Sequence, residues 1–315
     1  MKDFPKRLLK CVKSALPKAG RTSLWLLKII LPISLLVRLL QYSGGLSYLA
    51  GLLDPLFAFI GLPGESAIVF LTSIFLPLYA SIAVMTSLTL TLREATILAL
   101  MCLVAHNLLV ESAVQKKTGS SFIWMIVLRI GMAFLVAYTL NLVMPQDTHS
   151  FEILSQPEVF TGITQVLQAW LSTSVILVFT ILAIVSALMI LQKLLEEYQL
   201  LDVISRPLRP FMRFFGMPGD SSFLWLGGNI VGLAYGGAIM INLIEEGQLS
   251  REEANMVNHH LAISHSLLED TLLFVALGIS FWWIVITRLS FAFIVVWCLH
   301  LKEHLGRVKG CSSTV

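Results

Sequence analysis

The chain has 315 residues, of which 57% are hydrophobic and only 13% charged, and its formal net charge is +3. Soluble domains carry about 25% charged residues, so this composition excludes an ordinary water-soluble globular protein. What remains is an all-α polytopic membrane protein, because lipid offers backbone groups no partners and the sequence lacks strand-like alternation.

Residues 1–23 form a basic tail with Lys2, Lys6, Arg7, Lys10, Lys13, Lys18 and Arg21 against Asp3 alone, which predicts a cytoplasmic N-terminus next to an uncleaved first span. Because the tail abuts a span, it reads as a membrane-surface segment and not as a nucleic-acid arm. A hydrocarbon core about 30 Å thick needs about 20 apolar residues per helix. Eight windows approach that length: Leu24–Gln41, Ser66–Leu90, Ala95–Val114, Phe122–Met144, Trp170–Leu191, Ser221–Ile244, Val257–Leu277 and Phe281–Leu299. Cys11, Cys102, Cys298 and Cys311 show no paired spacing, so neither a disulfide framework nor a zinc site is expected.

A long internal repeat organises these windows. Gly61-Leu62-Pro63-Gly64-Glu65-Ser66 returns as Gly216-Met217-Pro218-Gly219-Asp220-Ser221, 155 residues later (216 minus 61). Further on the offset is 159 (265 minus 106), with four residues gained around Glu245-Glu246-Gly247. In that register Glu94 meets Glu253, His106 meets His265, Glu111 meets Asp270 and Arg129 meets Arg288. Matches of Gly, Pro, His, Arg and carboxylate in one register mark a duplication. The expected segments are repeats at 24–144 and 170–300, an acidic external connector at 145–169, and a cytoplasmic C-terminal tail at 301–315.

The connector lacks Lys and Arg while both chain ends are basic, so each half should cross an odd number of times and the halves should be inverted. One window per half must then fail to span. The windows after the Pro-Gly motifs are the candidates. The first is interrupted by Leu76-Pro77-Leu78 and the second by Gly227-Gly228-Asn229, Gly232 and Gly236-Gly237, which predicts re-entrant hairpins. Each repeat would hold about three spanning helices, an interfacial helix (46–60 or 200–215) and a hairpin. Paired, interrupted segments in inverted halves point to a transporter's binding site.

On these residues the chain resembles the nucleoside-recognition or Gate domain membrane family, which includes the spore maturation proteins A and B. That family is related to concentrative nucleoside transporters and to the membrane part of ferrous iron transporters. The resemblance spans about residues 24–299 and implies an inverted-repeat, transporter-like core, without naming a substrate. The chain has no Gly-rich phosphate loop of the kind that the iron transporters' G-protein half would need.

Ionisable groups within spans are costly and mark candidate sites. Arg129 and Arg288 are each expected to pair with the carboxylate of their own half, Glu111 or Asp270, or to meet an anionic solute. His106 and His265 are candidates for carrying a proton or binding solute. On one continuous helix Asn258, Ala262, His265 and Glu269 would share a face. Ala99 and Leu100 stand opposite Asn258 and His259, so solute contacts should be asymmetric between the halves. Asn229 sits at the second hairpin's interruption, and Glu65 and Asp220 are expected helix N-caps.

The reading that results is a secondary transporter or facilitator of a small polar or anionic solute, multi-pass in a bacterial-type plasma membrane and not an enzyme. Its coupling ion would be H+ or Na+. No cofactor is implied, and homo-oligomer formation is left open. Two alternatives stand beside it. One is a non-transporting subunit of an envelope or sporulation complex. The other is a membrane metalloenzyme using His259, His260, His265, Glu269 and Asp270, although no His-Glu-x-x-His spacing is present.

Overall fold

The computed structural model describes residues 4–146 and 162–312, so the acidic centre of the connector lies outside the described residues. Every regular element among the described residues is helical. The first copy comprises α1 (Phe4–Tyr42), α2 (Gly45–Phe59), α3 (Ser66–Phe75), α4 (Leu78–Met85), α5 (Leu92–Ala105), α6 (Leu108–Lys117) and α7 (Phe122–Val143). The second comprises α8 (Ile163–Glu197), α9 (Leu200–Phe214), α10 (Ser222–Ile230), α11 (Leu233–Glu245), α12 (Arg251–Ser264), α13 (Leu267–Ala276) and α14 (Phe281–Ser312). The ends of α1 and α2 fall 155 residues before those of α8 and α9, and α5 starts 159 residues before α12, so the sequence register is also a structural register. The second copy's extra residues lengthen α11 beyond α4.

Among the described residues, four helical stretches are long and apolar enough to cross a membrane: Leu92–Lys117, Phe122–Val143, Ile163–Leu195 and Phe281–Lys302. By contrast, α3 has ten residues and rises about 15 Å, half of a hydrocarbon core. It packs against α4, as α10 packs against α11, so each pair is a short helical hairpin. The chain breaks at equivalent points by different means. In the first hairpin Pro77 forces Leu76 into an extended backbone (φ −126°, ψ 161°). In the second, Gly232 itself takes φ 110° and ψ 165°, a conformation that a side chain would oppose.

The other glycines expected to interrupt the second hairpin do not. Gly227, Gly228 and Asn229 are helical, and Gly228 and Gly236 serve close packing instead. A Cβ on Gly236 would lie 3.1 Å from Gly228 Cα, and one on Gly228 would lie 2.7 Å from the Leu261 side chain.

The windows at 95–114 and 257–277 also differ from expectation, because neither is one helix. Capping boxes start both helices: Thr91 with Glu94 opens α5, and Ser250 with Glu253 opens α12. Each then stops at a histidine. His106 and His265 are extended, and the following Asn107 and Ser266 are left-handed (φ 47° and 51°) before α6 and α13 begin.

The chain forms two compact units that do not coincide with the repeats. One holds Met1–Leu108, Ala133–Tyr198 and Leu272–Phe281; the other holds Leu109–Met132, Gln199–Thr271 and Trp282–Val315. In the first unit α1 lies along α8 around Ala19, Leu27, Leu177, Ile181 and Val185, with Ala80 and Ala83 of α4 packed in. Arg7 pairs with Glu197 at 2.9 Å, and the Trp170 indole N–H donates to Ser34 Oγ at 3.0 Å. These end-to-end contacts make α1 and α8 antiparallel. The two are equivalent elements of the repeat, so they run in opposite directions, as inverted copies require. Arg93 donates to the Asn141 carbonyl and side chain, and Asn141 in turn abuts Gly61, where a Cβ would meet its Oδ1 at 2.0 Å.

Candidate functional site

In each unit a broken helix meets a hairpin. The left-handed Asn107 donates its N–H to Ser73 O in α3 at 2.7 Å, and Ser266 donates to Gly228 O in α10 at 2.9 Å. A helix end leaves amides and carbonyls without intrahelical partners, so such breaks persist only where other groups take them up. At the second break Arg288 does this for the carbonyls. Its Nε donates to Ile263 O at 2.8 Å, its Nη2 donates to His265 O, and its Nη1 lies 3.3 Å from Asp270 Oδ2. A guanidinium thus caps the C-terminus of α12, where the helix dipole favours a cation, and it is itself compensated by the first turn of α13.

The second unit gathers the other charged candidates around this break. Arg129 Nη2 lies 2.8 Å from Glu111 Oε2, and His265 Nε2 lies 2.9 Å from the same oxygen. Both ion pairs expected within the halves, Arg129 with Glu111 and Arg288 with Asp270, are therefore formed. Both arginines are fully buried. The contact of Glu111 with His265, across the two copies, was not expected. His265 Nδ1 faces Leu261 O at 2.7 Å, so a backbone acceptor fixes the ring. His106 takes the equivalent position in the first unit, with Nδ1 3.2 Å from Leu103 O.

One expected face does not exist. Because the helix stops at His265, Glu269 belongs to α13 and does not share a continuous stripe with Asn258 and Ala262. Glu269 is half-buried beside the fully enclosed Asp270. The N-cap expectation also fails for Glu65, whose side chain makes no capping bond; the Gly64 amide is instead held by Asp54 Oδ1 at 3.1 Å. The side chain of Asp220 lies outside the described residues. Ser66 and Ser221, the closing residues of the two motifs, are buried with hydroxyls that lack partners among the described residues.

A polar cluster that the sequence reading missed supports α12. The Asn258 amide donates to Thr118 Oγ1 at 2.8 Å and to Ser120 Oγ at 2.9 Å, Gln115 donates to Asn258 O at 2.9 Å, and Ser120 donates to Asn255 Oδ1 at 2.7 Å. Gln115, Thr118 and Ser120 carry no periodic signal. Only the polar Asn258 opposite Ala99 hinted that a partner was needed. The neighbouring histidines are engaged by indoles: Trp124 donates to His259 Nε2 at 3.0 Å, and Trp225 to His260 Nδ1 at 3.1 Å. At the hairpin, Asn229 donates to Trp225 O at 2.9 Å, while its buried Oδ1 has no partner among the described residues. The same is true of Ser112 Oγ and Thr271 Oγ1, equivalent residues that each follow a carboxylate, Glu111 or Asp270.

This architecture defines an all-α, multi-pass membrane protein whose helices break in duplicate against short hairpins. A family profile, Gate, described as nucleoside recognition, matches residues 23–131, which lie in the first copy. The chain is also 34% identical over 281 residues to the uncharacterized membrane protein YvoD of Bacillus subtilis (strain 168), a match covering 87% of this chain and 89% of that protein. It belongs to this nucleoside-recognition Gate family of membrane proteins. No solved structure matches it.

Proposed function

We propose that the protein moves a small polar or anionic solute across a bacterial plasma membrane, with both chain ends in the cytoplasm and the connector outside. The observation that carries this reading is the meeting of two breaks in the second unit, where Ser266 hydrogen-bonds to Gly228 one turn before the Gly232 discontinuity. Interrupted backbone at membrane depth is tolerated where it is enclosed by protein or lines a cavity, and duplicated interruptions in inverted halves are how transporters build a midplane site. Asn229, Ser112 and Thr271 supply buried polar atoms available to a solute, and Asn258, His265, Glu269, Asp270, Glu111, Arg129 and Arg288 are the further candidates for contact with it. The antiparallel run of α1 and α8 supports the inversion on which the reading depends.

The test is access. In a variant without native cysteines, Asn229→Cys and Ser266→Cys are probed with a small impermeant thiol reagent, applied to intact cells and to inside-out vesicles. Labelling of these positions from at least one face supports a solute path. Complete protection from both faces, with labelling only after denaturation, would leave a sealed core and favour the non-transporting assembly subunit.

A further inference from the structure

The His265 ring is held between two oxygens. Nδ1 lies 2.7 Å from a backbone carbonyl, which can only accept, so Nδ1 carries hydrogen. Nε2 lies 2.9 Å from Glu111 Oε2. If the ring were neutral and the carboxylate ionised, a nitrogen lone pair would face an anionic oxygen at that distance, which is repulsive. The approach is favourable only with a proton in the contact, whether it resides covalently on Nε2 or on Oε2. We propose that Glu111 and His265 hold one exchangeable proton between them, and that this pair is the protein's proton-binding site.

The surrounding charges give this proton a consequence. Arg129 from α7 contacts the same Glu111 oxygen, Arg288 from α14 holds the His265 carbonyl, and Asp270 from α13 pairs with Arg288. Two arginines against two carboxylates balance, so the proton leaves these five groups with one net positive charge. Loss of the proton restores neutrality. Glu269 stands half-buried next to Asp270, α10 contributes no titratable side chain, α11 carries Tyr235 and Glu245, and His259 and His260 of α12 are held by indoles. Protonation makes the site one charge more positive whatever the state of Glu269, which favours an anionic solute, and an exchangeable proton makes H+ the coupling ion in preference to Na+. This consequence rests on the transport reading, whereas the proton itself does not.

The experiment uses the full chain in liposomes, labelled with 15N at histidine and with 13C at glutamate side-chain carboxyls. Spectra are recorded from about pH 5 to about pH 8, the range in which histidine charge ordinarily changes. His265→Asn and His265→Gln, either of which suffices, assign the ring signal, and Glu111→Gln assigns the carboxyl. At the acid end, the expected result is a doubly protonated His265 ring or a protonated Glu111 carboxyl, and this single proton is lost as pH rises. A ring protonated only at Nδ1 beside an ionised Glu111 throughout the range would overturn the proposal. A proton that stays bound throughout would also overturn it, since the pair would then be a fixed structural bridge. A titrating pair in a protein whose thiol probes stay sealed would keep the proton site and discard transport; open probes around a pair that does not titrate would do the reverse.

Discussion

The two helix breaks follow the same backbone path with different chemistry around it. At His106-Asn107 and at His265-Ser266 an extended histidine is followed by a left-handed residue, and the amide of that residue bonds to the first helix of a hairpin. Yet the helix leading to the first break is lined by Ala99 and Leu100, both fully buried, whereas the second presents Asn258, His259 and His260. The hairpins repeat the lesson, since Pro77 and Gly232 stop equivalent helices by opposite physical means. The duplication preserved geometry and left side chains free to diverge, so symmetry marks the scaffold and asymmetry marks the specialised chemistry.

The comparison is broken most severely by removing the carboxylate that serves both copies. Glu111→Ala strips a counter-charge from the buried Arg129 and a partner from His265, and losing one member of a buried ion pair costs about 3–5 kcal/mol. The thermal midpoint in detergent should fall steeply, and an unchanged midpoint would mean that these contacts are absent in solution. A smaller effect sharpens the asymmetry. Asn258→Ala, which gives the second helix the first copy's residue, leaves Thr118 and Ser120 short of a donor and should cost about 1–3 kcal/mol. Ala99→Asn, placing an amide in the apolar counterpart position, should destabilise comparably, as measured by the same melts. The smallest effect should be the same in both copies. Thr91→Ala and Ser250→Ala each remove an N-cap worth about 1 kcal/mol, and a large difference between their midpoints would show that the equivalent helices are not equally anchored.

The sequence made the scaffold legible wherever a residue type has a single structural meaning. The Pro-Gly motifs and Pro77 located the hairpins to within a few residues, whereas the T/S-x-x-E capping boxes at Thr91 and Ser250, a legible signal of a helix start, went unread. The breaks at His106 and His265 were hidden because nothing there disfavours helix as Pro does; the left-handed turn at Asn107 and Ser266 is imposed by tertiary hydrogen bonds. That hidden break is why Glu269 was placed on a face it does not share. Charge pairing within each half could be read because a buried arginine must find a carboxylate nearby. The bridge from Glu111 to His265 could not, since it joins residues from different copies and only the packed fold brings them together.

The antiparallel pairing of α1 with α8 has a consequence for the order in which the protein is made. About 120 residues separate the end of α1 from the start of α8, so at about 5–20 residues per second the first helix waits roughly 6–24 s for its partner to leave the ribosome. The amino-terminal copy enters the bilayer with one flank unmatched, and its hairpin helix α4, which also packs on α1, waits beside it. Biogenesis is therefore not two halves maturing in succession. The earlier copy is finished by the first helix of the later one, and a ribosome stalled within the connector would strand an incomplete unit for quality-control proteases to find.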